Sequence, residues 1–205
     1  MLKLYGDPGS GNCYKVQLLL SFLGIPYDLT YIEVMAGETR TEAFLKMNPN
    51  GRIPLLRLED GSCLPESDAI LYYLAEGTRF WPEDRLARAR VLQWMFFEQY
   101  SHEPFIAVLR FWKIYANKTP ADEPQWAAKE KGSYAALAVM ERELTGKDWL
   151  VDGGGPTIAD IALYAYTHVA ADGGIDLSGY PAVRAWLARM AEQPGYMPLV
   201  RRAAA

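Results

Sequence analysis

Within its first 34 residues the chain passes from strand to helix to strand, and this order restricts the fold more than any other feature. Residues 2–5 (LKLY) alternate apolar and polar side chains, the period of a half-buried strand. From Ser10 to Leu23 the apolar residues Val16, Leu19, Leu20 and Leu23 recur at helical spacing, and Gly24 followed by Pro26 stops the helix. Residues 27–34 (YDLTYIEV) read as a second strand. Strands joined through a helix pair in parallel by a right-handed crossover, so the chain opens with an α/β unit.

The pattern then continues as a short helix over 41–48 halted by Pro49 and a hairpin of 53–58 and 62–65 around Glu59-Asp60-Gly61. A helix over 67–77 follows. The predicted order is β-α-β-α-β-β-α within residues 1–77. Residues 78–85 (TRFWPEDR) carry turn and charged residues and read as a linker. Beyond them only helical periodicity is found. Residues 86–115 form one long helix or a pair kinked at Pro104, and 125–144 a further helix. In 157–170, Thr157 and Asp160 have the cap-and-third-residue spacing of a capping box. Residues 181–191 and a tail around Met197–Arg202 complete an all-helical domain spanning 86–205. The fold class is therefore α/β plus all-α, and at 205 residues and 50% hydrophobic content each half can bury a core.

Charge and cysteine usage narrow the function classes. The 21 basic residues face 25 acidic ones without any basic block, which excludes nucleic acid or an anionic membrane as the expected partner. No basic-then-apolar leader and no apolar run near about 18 residues is present, so a soluble cytoplasmic protein is expected. Cys13 and Cys63 make no disulfide framework, and His102 and His168 without a cysteine cluster make no zinc site; no metal is expected.

Three stretches carry chemistry. In DPGSGNCYKV (7–16), small residues sit where the first strand enters the first helix. Two readings are open: Ser10 or Asn12 is an ordinary helix cap, or the helix amino end, with its N–H groups and positive dipole, holds an anion such as a thiolate. NPNGRIP (48–54) puts Pro54 at a strand entry, where a cis bond exposes the peptide of Ile53 for strand-like pairing with an extended ligand. PESDAI (65–70) is either a routine cap or a site where Ser67 meets a carboxylate and Glu66 an amine. Together they suit a peptide-like ligand with an anionic sulfur, a central amide pair and a zwitterionic end. Cys13 follows Ser10 at the spacing of a redox cysteine pair whose first member is serine, and is expected to be buried and structural, with Cys63 in the core. The aromatic segment 94–115 offers Tyr100, Phe105 and Leu109, with Trp112 further along, to line a second site; packing of the helices or a dimer interface is the competing use.

On these residues the chain resembles the cytosolic glutathione S-transferases over nearly its whole length. NPNGRIP is similar to the family's asparagine-proline to cis-proline segment, ESDAI to its glutamate-serine segment, and TIADIALY to its capping-box segment. The resemblance implies a thioredoxin-like N-terminal domain, glutathione as co-substrate without a metal, a small hydrophobic electrophile, a homodimer and a role in detoxification. PGS (8–10) is similar to the theta- and delta-like pattern, and Ser10-Gly11-Asn12 with Lys15 to a bacterial, nu-like group. By position, Ser10 and Asn12 would hold the sulfur, and Ile53 beside cis Pro54 the cysteinyl backbone. Glu66 and Ser67 would hold the γ-glutamyl end, and Arg52, helped by Arg40, the glycyl carboxylate. Gly51 stands where delta-like members carry histidine, which shifts that contact to Arg52. Glutathione-dependent disulfide or peroxide reduction is the alternative activity, and a non-catalytic binding protein of the same fold the alternative class.

Overall fold

A computed structural model describes residues 1–200. The chain divides into two units: Met1–Glu76 joined by the C-terminal segment from Gln193, and Gly77–Glu192.

The first unit is built on β1 (Leu2–Gly6), which pairs on both sides. It lies parallel to β2 (Tyr27–Tyr31), with Leu4 opposite Leu29, and antiparallel to β3 (Leu55–Arg57), with Leu4 opposite Leu56. β4 (Cys63–Pro65) closes the hairpin, giving the order β2-β1-β3-β4. α1 (Gly11–Leu23) supplies the crossover between β1 and β2, and α2 (Glu42–Met47) and α3 (Ser67–Ala75) complete the expected order. Leu4, Leu55 and Leu56 are fully buried, as are Val16, Leu18, Leu19 and Leu20 of α1. α1 ends where Gly24 takes φ 64° and the N–H of Ile25 reaches back to the Leu20 carbonyl at 3.0 Å, a left-handed stop that glycine adopts without penalty.

The tail departs from the sequence expectation. Residues 197–200 form no helix, and Arg201 and Arg202 lie outside the described residues. Pro194 and Pro198 have no N–H to give a helix, Gly195 sits at φ 85°, and the tail carbonyls serve α1 instead. The Tyr14 hydroxyl donates to the carbonyl of Met197 at 2.7 Å and that of Ser21 to the carbonyl of Gly195 at 2.7 Å.

The second unit is helical: α4 (Arg85–Phe97), α5 (Glu103–Ile114), α6 (Trp126–Leu144), α7 (Ile158–Thr167) and α8 (Pro181–Ala191). The predicted kink is a π-helical turn over Glu98–His102, placed just before Pro104, whose ring displaces the carbonyl a turn earlier. Phe80 and Trp81, within the stretch expected as a linker, are buried, and the Phe80 carbonyl accepts from the Ile158 N–H at 3.1 Å.

Every residue of α7 is buried, and its N-terminus is organised by Asp160. The two carboxylate oxygens accept from the Thr157 N–H (2.8 Å), the Thr157 hydroxyl (3.0 Å), the Leu150 N–H (3.0 Å) and the Trp186 indole N–H (3.0 Å). Burial pushes this carboxyl above the ordinary aspartate value, and those four donors oppose the shift. The capping box of Thr157 and Asp160 thus ties the α6–α7 connection and α8 to one side chain. Asp160→Ala leaves four buried donors without an acceptor, whereas Thr157→Ala removes one hydroxyl. We expect the urea midpoint, followed by tryptophan fluorescence, to fall by the equivalent of about 3 kcal/mol or more for Asp160→Ala and about 1 kcal/mol for Thr157→Ala. An Asp160→Ala protein no less stable than Thr157→Ala contradicts this account.

Candidate active site

Three segments of the first unit converge. The turn from β1 into α1 is shaped by Asp7, which is buried and whose Oδ1 accepts from the Gly9 N–H at 2.8 Å while its carbonyl accepts from the Ser10 N–H at 3.0 Å. Ser10 is the N-cap of α1, with φ −77° and ψ 128°, and its hydroxyl oxygen accepts from the Cys13 N–H at 3.5 Å, the far limit of a hydrogen bond. The amino end of α1, with its N–H groups and positive dipole end, thus starts beside Ser10, and Asn12 lies in its first turn.

The second segment is the loop of residues 48–54, held by buried Asn48. Its Nδ2 donates to the Arg52 carbonyl at 2.8 Å, its Oδ1 accepts from the Asn50 N–H at 3.1 Å, and its carbonyl accepts from the Gly51 N–H at 2.9 Å. The Ile53–Pro54 peptide is cis. β3 begins its pairing at Leu55, so the peptide of Ile53 stands ahead of the ladder, and its side chain packs against Ile32, Phe44 and Leu55. Gly51 has φ 60°, and a Cβ there would lie 2.5 Å from Arg40 Nη1 and 2.9 Å from the Thr39 carbonyl oxygen. The space a side chain would take is thus occupied by the Arg40 guanidinium, which donates to the Asn50 carbonyl at 3.2 Å. The side chain of Arg52 is exposed.

The third segment is the start of α3. Glu66 is exposed and takes φ 70°, a left-handed value that costs a non-glycine residue about 1–3 kcal/mol and marks functional sites when the surroundings enforce it. Its Oε1 accepts from Asn50 Nδ2 at 3.4 Å, which joins the second and third segments. Ser67 is buried, and its hydroxyl donates to Asn12 Oδ1 at 3.3 Å, which joins the third segment to the first. Behind it Lys15, with no exposed surface, donates to Ser67 Oγ at 3.4 Å and pairs with Asp68 Oδ1 at 3.2 Å.

The geometry therefore brings together Asn12, Ser67, Glu66, Asn50 and Arg40, with Ser10 adjoining Asn12. Sequence reasoning assigned no part to Asp7, Asn48, Asn50, Lys15 or Asp68. The signal for Lys15 was present, since it is the one charged residue of α1.

Of the residues proposed for a second site, Tyr100 is 85% exposed and Phe105 covers Gly132, where a Cβ would meet its ring at 2.1 Å. Leu109 is fully buried and packs on Gly173, within the core of the helical unit. Trp112 stacks on Trp126 with ring centroids 5.8 Å apart. His102 is buried with Nε2 2.9 Å from the Thr167 hydroxyl, and His168 holds the Tyr164 carbonyl through Nδ1 at 2.8 Å. Among the described residues no group of three or more His, Cys, Asp or Glu side chains could hold a metal, and no helix is long and apolar enough to cross a membrane.

Comparison with known proteins gives two family models, the glutathione S-transferase N-terminal domain over residues 4–79 and its C-terminal domain over 103–194. A glutathione S-transferase from Pseudomonas fluorescens is 51% identical with TM-score 0.94, over 97% of this chain and 98% of that one. The disulfide-bond oxidoreductase YfcG of Escherichia coli is 31% identical over 202 residues, 95% of this chain and 92% of its own length. A glutathione transferase from Burkholderia graminis, solved with two glutathione molecules per subunit, is 30% identical with TM-score 0.82, over 95% of this chain and 85% of that one.

Cys13 is separated from this chemistry by packing. Its sulfur lies where a Cβ on Gly6 would stand 2.7 Å away, and burial pushes the thiol up to about 12, opposed by the Ser10 hydrogen bond. Thiolate is the reactive form, so Cys13 is inert near neutral pH, whereas Cys63 is only half-buried. Iodoacetamide on the native protein at pH 8 is expected to add one label, at Cys63, and two after unfolding, read by intact mass. Rapid native labelling of Cys13 contradicts the packing described.

Proposed function

The chain belongs to the glutathione S-transferase family, and on that premise we propose that it binds glutathione along the three converging segments and ionises its thiol at the amino end of α1. The observation that carries this reading is the 3.3 Å hydrogen bond from Ser67 to Asn12, which sets the amino ends of α1 and α3 side by side. Two helix N-termini then offer N–H groups and positive dipole ends to the two anionic parts of one ligand, the thiolate and the γ-glutamyl carboxylate.

In this reading the Ser10 hydroxyl and the Asn12 amide donate to the sulfur, and the Ile53 peptide beside Pro54 pairs with the cysteinyl residue. The Ser67 N–H, at the start of α3, meets the γ-glutamyl carboxylate while its hydroxyl proton stays on Asn12 Oδ1, and Glu66 meets the ammonium. Arg40, seated over Gly51, takes the leading part at the glycyl carboxylate, with exposed Arg52 as the outer cation. A free thiol near pKa 8.5 is mostly protonated at neutral pH, and a depression of one to two units corresponds to about 1.4–2.7 kcal/mol, within reach of two donors and a helix dipole. The thiolate attacks the electrophile, the leaving group departs with the displaced electron pair, and no proton has to be accepted by Ser10. Apolar contacts to the electrophile are assigned to the helical unit, with Tyr100 and Phe105 as its candidates. A cytosolic location and a homodimer belong to the same reading.

The likeness to a disulfide-bond oxidoreductase supports a second activity at the same thiolate. Because Cys13 is inert, the exchange would use glutathione alone. One glutathione thiolate attacks a disulfide and releases a thiol, and a second attacks the mixed disulfide, releasing the other thiol and glutathione disulfide.

Ultraviolet difference absorbance of bound glutathione reports its thiolate. Wild-type protein is expected to show the signal at neutral pH, Ser10→Ala to shift its titration upward by about one unit, and Arg40→Ala to raise the glutathione Kd several-fold with the titration unchanged. Turnover of a chloronitroaromatic against turnover of hydroxyethyl disulfide then separates conjugation from reduction. Bound glutathione that stays protonated in wild type through pH 8 overturns the reading.

A further inference from the structure

Lys15 is buried without exposed surface, lies one turn beyond Asn12 on α1, and reaches the first turn of α3 rather than solvent. Its two contacts there differ in kind. The ammonium is paired with Asp68 Oδ1 at 3.2 Å, which balances its charge, and it donates to Ser67 Oγ at 3.4 Å. An ammonium can only donate, so it engages a lone pair of Ser67 and leaves the hydroxyl proton to go elsewhere. That proton goes to Asn12 Oδ1 at 3.3 Å. With its carbonyl oxygen turned toward α3, the planar amide of Asn12 directs Nδ2 away from Ser67.

Resting on the thiolate reading above, we propose that Lys15 is a positioning residue that orients the Asn12 amide through Ser67, so that the amide presents N–H rather than C=O to the glutathione sulfur. An unanchored asparagine amide rotates freely between its two faces, and the reversed face sets a carbonyl dipole against the anion and disfavours it. Asp68 holds the lysine and takes no part in the relay. Of the other carboxylates of these segments, buried Asp7 accepts from the Gly9 N–H and Glu66 from Asn50 Nδ2. The relay itself runs from Lys15 to Ser67 and from Ser67 to Asn12.

The test removes the ammonium without leaving a buried charge. Lys15→Met/Asp68→Asn deletes both members of the pair at similar volume, which buried pairs tolerate better than loss of one partner. In the full-length protein, the thiol titration of bound glutathione, read by ultraviolet difference absorbance, is expected to move up by about one pH unit. That shift is a tenfold lower thiolate-to-thiol ratio. Asn12→Ala alone is expected to move it by a similar amount, and the triple variant no further than Asn12→Ala, because the lysine acts through that amide. Lys15→Gln/Asp68→Asn, which retains an N–H donor for Ser67, is expected to recover at least half of the shift, and it carries the same comparison should the methionine variant not fold. A titration unmoved in Lys15→Met/Asp68→Asn, a shift that adds to that of Asn12→Ala, or a glutamine variant as impaired as the methionine one overturns the proposal. The thiolate reading fails separately, and this proposal with it, if wild-type protein shows no thiolate signal at all.

Discussion

A lysine ammonium with no access to water must be balanced where it lies, and in this chain that requirement governs how α1 meets α3. Lys15 is the one charged residue of α1, and two groups that receive it, Ser67 and Asp68, both stand on the first turn of α3. The two helices therefore pack with that turn against the start of α1, and Ser67 falls within reach of Asn12. Glu66, next in the chain, is held at φ 70° and receives Asn50 from the loop that precedes β3. Contacts that start from one buried charge thus link three segments far apart in sequence. Removing it alone would take a counter-charge from Asp68, a loss larger than an exposed ion pair represents.

The unfavourable local features of the first unit gather at the same place. A non-glycine residue at positive φ, a buried ion pair and a glycine whose absent side chain admits an arginine all border the candidate site. Such features persist where surrounding structure over-determines them, and Asn48, which binds three main-chain groups of its own loop, supplies that bracing around Gly51. The helical unit solves its own version of the problem at Asp160, a buried carboxylate given four donors.

Much of this was legible in the sequence because the signals were local. The β-α-β-α-β-β-α order followed from periodicity and from Gly24, Pro49 and Gly61, and the capping box from the spacing of Thr157 and Asp160. Ser10, Glu66 and Ser67 stood out because helix starts announce themselves, and they do lie at the starts of α1 and α3. What could not be read was tertiary. Nothing within DPGSGNCYKV says that Lys15 will find Asp68, and nothing in NPNGRIP says that Arg40 will fill the space over Gly51. The burial of Leu109 in the core of the helical unit was likewise out of reach, because an apolar residue in an aromatic segment suits a pocket wall and a helix interface equally. The tail forms no helix over residues 197–200: Pro194, Gly195 and Pro198 stand against one, and the carbonyls of Gly195 and Met197 are taken up by α1.

Conjugation and disulfide exchange would share one first event, the appearance of negative charge on a sulfur seated at the amino end of α1. A crystal structure of the protein with glutathione tests this most directly. The account predicts the sulfur within hydrogen-bonding distance of both Ser10 Oγ and Asn12 Nδ2, with the γ-glutamyl carboxylate at the first turn of α3. A sulfur remote from both side chains, or a tripeptide bound with its ends reversed, contradicts it.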